Sequence, residues 1–304
     1  MNNKTRAHLA LLFTNIFFAI NLSAVKHLTG KHIAAPFGIN VVRVGVTVVL
    51  FWMLYLFRPT SIKIRRADLP RFILCALTGV AINQMLFLKG LSLTYSIHAS
   101  LLMLTTPILI VFISAWMLKE QPGLLRIAGL ATGISGAAIL VLGRENTGQG
   151  NDVIMGDTLI LINAVSYTFY FVLVKPLMQR YNPLFIIRWV FTFGLVMVLP
   201  FGWVEFNQIQ WAVFDWVDIS CMALVVLCGT FLAYLFNVYG IKVLGASVAG
   251  FYIYTQPVFA ALIAGIFLKE EVTLNKIFAA ILIFTGVYLS NKPQKNARVP
   301  VGQN

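Results

Sequence analysis

Acidic side chains are scarce in this sequence. Its 304 residues include ten Asp and Glu, and only 11% are charged in any way, where a soluble domain carries about a quarter. None of the acids falls in the middle of a long apolar stretch: Asp157, Asp215 and Asp218 all stand near the start of one. Carriers that move protons or sodium commonly hold the ion on a membrane-embedded carboxylate. In a carrier, such a lack would favour facilitated diffusion or exchange and would weaken export of organic cations. Cysteine is equally sparse. Cys75, Cys221 and Cys228 sit inside apolar blocks, which excludes a disulfide framework and a paired metal spacing. No metal ligand set and no cofactor motif are expected. Long polar segments are missing too. The longest connections, 58–68, 143–154 and 205–215, are too short for a soluble domain, so any function lies within the apolar blocks.

Those blocks dominate the chain, which is 59% hydrophobic with a mean hydropathy of +0.85. Ten of them can be marked, at about 7–27, 36–57, 69–92, 95–118, 124–142, 155–178, 183–204, 216–241, 245–268 and 274–290. Most approach the twenty residues needed to cross a ~30 Å hydrocarbon core. The expected fold class is an all-α polytopic membrane protein of ten transmembrane helices embedded in a lipid bilayer. The first block is read as a retained span, because no clean small-x-small cleavage site follows it.

The net charge of +13 does not signal nucleic-acid binding, since the basic residues lie in short connections. With the N-terminus placed inside, 15 Lys and Arg fall on the inner side and 6 on the outer. By the positive-inside rule both termini are cytoplasmic, and a bacterial inner (cytoplasmic) membrane fits the short loops.

"TTPILIVFISAWMLKE" (105–120) and "TQPVFAALIAGIFLKE" (255–270) match at six of sixteen positions without a gap, offset by 150 residues. The matches include Pro107 with Pro257 and Lys119-Glu120 with Lys269-Glu270. Gly90/Gly240 and Gly136/Gly286 keep the same register, and Arg43 aligns with Arg188 after a small shift. The chain is read as two five-span repeats, 7–142 and 155–290, with a linker at 143–154 and a cytoplasmic tail at 291–304. Five is odd, so the second copy enters the bilayer inverted. Inverted repeats are characteristic of secondary transporters that bind substrate between the halves.

These paired stretches, each followed by an apolar span with a late glycine, resemble the repeats of EamA-type carriers of the drug/metabolite transporter superfamily. The resemblance implies a central cavity lined by the first, third, fourth, sixth, eighth and ninth spans, with the fifth and tenth peripheral. It also implies a small-molecule substrate, most often an amino acid or related metabolite, exported by alternating access. The protein is then not an enzyme.

Polar residues fall in stripes on several of these spans. Cavity candidates are Asn15, Asn83, Gln84, Thr106, Asn163, Tyr167, Tyr170, Tyr234, Asn237, Tyr254 and Gln256. The alternative for each is a hydrogen bond that ties helices together. Pro107 and Pro257 free carbonyls four residues earlier and are candidates for kinks or gating. Arg43 and Arg188 either snorkel to the interface or attract an anion; the latter leaves open an organic-anion or nucleotide-sugar exchanger. The Lys-Glu pairs are read as structural, capping a helix or pairing with another loop. The glycines Gly129 and Gly133 offer a small-residue face for close packing, including a homo-oligomer. A remote alternative is an intramembrane protease with Ser135, in "GISG", as nucleophile and His98 as base; the corresponding stretch of the second repeat, "IFTG", lacks both serine and first glycine.

Overall fold

The computed structural model describes residues 3–57, 62–106, 108–109, 113, 124–142, 152–244, 252–253 and 255–290. Among the described residues every regular element is a helix. The helices are α1 (Asn3–Gly30), α2 (Pro36–Phe57), α3 (Arg66–Leu93), α4 (Ser96–Met103), α5 (Leu124–Leu142), α6 (Val153–Met178), α7 (Pro183–Asn207), α8 (Trp216–Leu244), α9 (Gln256–Phe267) and α10 (Leu274–Ser290). Among the described residues six of them, α1, α2, α3, α6, α7 and α8, are long and apolar enough to cross a membrane. The expected fourth and ninth spans are described only in part, so Pro107 and Tyr254 lie outside the described residues, as do Lys119 and Glu120.

Local sequence sets where several helices begin. Asp152 accepts a bond from the Met155 amide and opens α6. Asn182 accepts from the Leu184 amide at 3.1 Å, with Pro183 at the first position of α7. Asp215 and Asp218 form a reciprocal capping box at the start of α8. Each satisfies amides that a helix start leaves without partners. The apolar periodicity runs almost all round, and side chains such as Leu56, Val196 and Phe278 stay exposed. That is the surface expected of helices solvated by lipid rather than water.

The two repeats interlock. The main pairings are α1 with α8 and α9, α2 with α7, α3 with α6, α4 with α9 and α5 with α10, each joining one repeat to the other. The equivalent helices α2 and α7 run in opposite senses, and α6 runs antiparallel to α3. Residue 205, near the end of α7, meets the start of α2, and residue 180, just past α6, meets the start of α3. One end of the bundle therefore holds the N-terminus, and the opposite end holds the starts of α2, α4, α6, α8 and α10.

Helices α5 and α10 lie together at one side. A methyl group added to Gly286 would stand 2.6 Å from the Gly129 carbonyl oxygen and the Gly133 amide nitrogen. This corrects the expectation that Gly129 and Gly133 form a face for a homo-oligomer: that face is buried against α10 of the same chain. Close backbone approach between small residues is what holds helices together in lipid, where no hydrophobic force acts between them.

Candidate functional site

Near the midpoint of α3 and of α8 the helix widens into a π-helical turn, at Leu77–Ala81 and Leu224–Leu232. The two turns occupy equivalent places in the two repeats, and each contains a glycine, Gly79 and Gly229. A Cβ on Gly79 would lie 2.5 Å from the ring of Tyr170, and one on Gly229 would lie 2.5 Å from Oδ1 of Asn21. So Tyr170 of α6 and Asn21 of α1 each press into a groove that a missing side chain leaves. Such π turns alter backbone bonding and frequently mark functional sites.

The polar groups freed there are used. Thr230 donates its hydroxyl to the Val225 carbonyl, five residues back, at 2.9 Å. The Thr230 hydroxyl oxygen in turn accepts from Nε of Arg43 at 2.5 Å. On the other side Ser166 donates to the Thr78 carbonyl at 2.8 Å. Asn163 donates to the Asn83 carbonyl at 2.6 Å, and Asn83 donates to the Asn163 carbonyl at 3.4 Å. The amides of Asn83 and Asn163 thus stitch α3 to α6.

Arg43 is 4% exposed and does not snorkel. Its Nη1 is buried with no hydrogen-bond partner, and among the described residues no carboxylate pairs with it. Tyr234 of α8 adjoins both Arg43 and Gln84 of α3. Tyr167 and Tyr170, with ring centroids 5.6 Å apart, are neighbours of Tyr234 in turn. Further buried polar atoms without partners lie on the adjoining helices: Oδ1 of Asn21, the Asn40 amide and the Thr47 hydroxyl. The arrangement is a cation surrounded by phenols and amides, drawn from both repeats. It can bind an anionic oxygen and offer stacking and hydrogen bonds to the rest of a small molecule.

Other expected residues fall outside this group. Asn15 gives its amide to the Leu11 carbonyl one turn back in α1, at 2.8 Å. Asn237 is half-buried, one turn beyond Tyr234. Thr106 and Gln256 are buried, but no hydrogen bond or ring contact joins them to the tyrosines among the described residues. Pro257 stands in the first turn of α9, whose cap position is Thr255, where its missing N–H costs nothing. Thr255 donates to the Tyr252 carbonyl at 2.7 Å, and the equivalent Thr105 donates to the Leu102 carbonyl at 2.7 Å. The threonine two places before each proline, matched between the repeats, therefore makes the same bond in both. Arg188 stands apart from Arg43. Its guanidinium lies over Tyr55 at 3.8 Å and Trp52 at 4.7 Å, which places it ~14–18 Å along α2 from Arg43 at 1.5 Å per residue. The two arginines do not converge on one ligand.

The end of the bundle away from the N-terminus is cross-linked by residues the sequence reading underrated. Glu270 accepts from the Ser96 and Ile97 amides at 2.9 and 3.1 Å, capping α4, so the second Lys-Glu pair is structural, as expected. Glu205 caps α2 in the same way, through Phe37 at 2.6 Å and Gly38 at 3.1 Å. Both carboxylates come from the second repeat and cap helices of the first. Asp157, fully buried, accepts from Thr94 and is bonded to Nδ1 of His98 at 2.9 Å. Lys26 donates to the Thr94 carbonyl at 2.5 Å, closing the end of α3. Lys31 bridges Asp215 at 2.9 Å and Asp218 at 2.8 Å. The bonds to Asp218 and Asp215 raise the Lys31 pKa, and the bond from Lys31 lowers that of Asp215. A lowered carboxylate contributes above its ordinary range and is lost as pH falls through its own pKa, and a raised ammonium is lost only as pH climbs above the usual lysine range, so this link persists through neutral pH and opens in acid or in strong alkali. Near the opposite end, Asp68 accepts from Arg180 and Tyr181, both at 2.8 Å.

Ser135 is exposed and donates to the Ala131 carbonyl at 2.9 Å, whereas His98 is buried with Asp157. The nucleophile and base of a protease are not assembled.

Two stretches of the chain, residues 5–142 and 154–292, match the EamA-like transporter family. A relative described as the uncharacterized transporter YetK of Bacillus subtilis is 24% identical over 245 residues, covering 80% of this chain and 74% of its own. The uncharacterized inner membrane transporter YicL of Salmonella typhimurium is 25% identical, covering 81% and 80%. A probable terminal-alkyne amino-acid exporter of Streptantibioticus cattleyicolor is 32% identical over 143 residues, 47% of each chain. One solved crystal structure superposes with a TM-score of 0.61 at 19% identity, over 94% of this chain and 96% of that one; it supports the fold alone.

Proposed function

Because the chain belongs to the EamA-like transporter family, we propose that it is a secondary carrier of small carboxylate-bearing metabolites, amino acids or related compounds, whose carboxylate binds Arg43. It is a membrane transporter and not an enzyme. The proposed architecture is ten spans in two inverted repeats, 7–142 and 155–290, with both termini in the cytoplasm of a cell bounded by this inner membrane. The substrate exchanges between Arg43, Gln84, Tyr167, Tyr170 and Tyr234 by alternating access, and the physiological direction is export.

The observation that carries this reading is the Nη1 of Arg43, buried without a partner. An isolated buried cation costs several kcal/mol, and a substrate carboxylate is the geometric complement of a guanidinium. The tyrosines supply faces and hydroxyls for a compact organic body. Similarity to a probable amino-acid exporter over half the chain agrees. The separation of Arg188 from Arg43 removes half the basis for a nucleotide-sugar-type exchanger that would use both. The links from Glu205 and Glu270 close the end away from the N-terminus, and in the proposed cycle they break when that end opens.

A thermal-shift screen of the purified protein tests the reading, since a ligand that binds the folded state raises its apparent stability. Some carboxylate-bearing metabolites should raise the Tm, their decarboxylated amines should not, and Arg43→Gln should abolish the shift. Shifts by the amines alone, or an undiminished shift in Arg43→Gln, would overturn it.

A further inference from the structure

A cleft of about 420 Å³ opens at the junction of α2, α7 and the segment before α3, lined by Trp52, Tyr55, Lys63, Arg188, Trp189 and Phe193 together with apolar Ile62, Ile64 and Leu69. It has no part in the central cluster. Two donors on its wall are buried without an acceptor: Nε of Arg188 and Nε1 of Trp189. Arg188 is only 6% exposed and is held by the faces of Tyr55, Trp52 and Phe185. By contrast, the indole of Trp52 is already spent on Thr192 at 3.1 Å. The lining contains two cations and no carboxylate. Unpartnered donors with cations call for a ligand that accepts hydrogen bonds and carries negative charge.

The surroundings say what else that ligand has. Met53, Leu56 and Phe57 on the same stretch of α2 are exposed, as are Ile62 and Leu69 at the rim, so the cleft is flanked by surface suited to acyl chains. It lies at the end of the bundle that carries Arg65, Arg66 and Arg71, the most basic connection in the sequence. Tryptophan and tyrosine concentrate at headgroup level, and basic pockets between spans bind anionic headgroups there. We infer that this cleft binds the phosphate of an anionic phospholipid from the leaflet on the N-terminal side, with Arg188, Trp189 and Lys63 as donors and the acyl chains lying outside along α2.

Native mass spectrometry of the detergent-solubilised full chain, titrated with phosphatidylglycerol or phosphatidylcholine, tests this. The wild type should retain phosphatidylglycerol at least about fivefold better, the preference expected of charge-assisted bonds to a phosphate. Arg188→Gln should bring the two lipids close to parity. Arg71→Gln removes the same charge outside the cleft and should leave the preference within about twofold, as a general surface attraction of one charge would. Trp189→Phe keeps an aromatic ring and the Arg188 charge but removes the Nε1 donor, and should weaken retention on its own if Arg188→Gln does not fold. Equal retention of both lipids by the wild type overturns the inference, as does an unchanged preference in Arg188→Gln and Trp189→Phe. Displacement of phosphatidylglycerol by millimolar inorganic phosphate would overturn the lipid assignment in favour of a soluble anion.

Discussion

Arg43 is held at one nitrogen and open at another. Nε is fixed by Thr230, whose own hydroxyl is oriented by the Val225 carbonyl across a π turn, while Nη1 is buried without a partner. Thr230→Val should therefore act on Arg43 as well as on the helix. It leaves a buried N–H unpaired, a cost of about 1–3 kcal/mol, and should lower both the Tm and the affinity for carboxylate ligands. Arg43→Lys keeps the charge but loses the planar fork; its affinity should fall about tenfold or more, measured by ligand-dependent thermal shift. At this scale the sequence showed which residues are polar within apolar helices, and the stripes named Gln84, Tyr167, Tyr170 and Tyr234. It did not show which polar groups are already used. Asn83 and Asn163 satisfy each other's carbonyls, and Asn15 bonds within its own helix; those partners depend on helix rotation, which no single stripe contains. Asp157 was passed over because it stands near a span start, although the fold buries it completely against His98.

Among the elements, small residues set how closely helices approach. The Gly286 contact is with backbone atoms at 2.6 Å, which cannot rotate away. Gly286→Ala should push α10 off α5 and destabilise the protein by about 1–3 kcal/mol. Gly45→Ala is the control: its Cβ would meet only Leu195 Cδ1 at 3.9 Å, an ordinary contact, so the Tm should hold or rise with the better helix propensity of alanine. Thermal unfolding in detergent distinguishes the two. The carboxylate caps belong to this scale as well. Glu205→Ala with Glu270→Ala removes both cross-repeat caps, each of the kind worth about 0.5–2 kcal/mol, and should favour the state open at that end. Alkylation of a cysteine placed at buried Ile39, beside the Glu205 cap, should then speed up. The repeat made one of these caps legible, since the second Lys-Glu pair was read as structural. Glu205 has no such marker in the sequence. The π turns were equally hidden, because they arise from neighbours pressing on Gly79 and Gly229 rather than from any local propensity.

Across the whole molecule, interlocked repeats give a bundle whose equivalent helices run in opposite directions, with polar groups in the middle and apolar side chains outside. The odd number of blocks per repeat predicts that inversion, and among the described residues α7 runs antiparallel to α2, its end meeting the start of α2. Sidedness can be checked directly. Lys63→Cys, in the basic connection, should react with a membrane-impermeant maleimide only from the cytoplasm, and exposed Gln208→Cys only from outside. Reaction of both from one side would contradict the topology. The two arginines that the repeat aligns are separated by packing: Arg43 turns into the bundle toward α8, and Arg188 lies among aromatics in the α2–α7 cleft. Pseudo-symmetry in sequence thus does not carry over to equivalent roles.

The central claim is that a small carboxylate crosses the membrane by way of Arg43. Counterflow in proteoliposomes tests it most directly: vesicles preloaded with a carboxylate metabolite that raised the Tm take up its labelled form. The account predicts saturable uptake by the wild-type protein, none of the decarboxylated analogue, and loss of uptake in Arg43→Gln reconstituted at equal density. Uptake by Arg43→Gln at the wild-type rate, or no exchange of any carboxylate that binds, would contradict it.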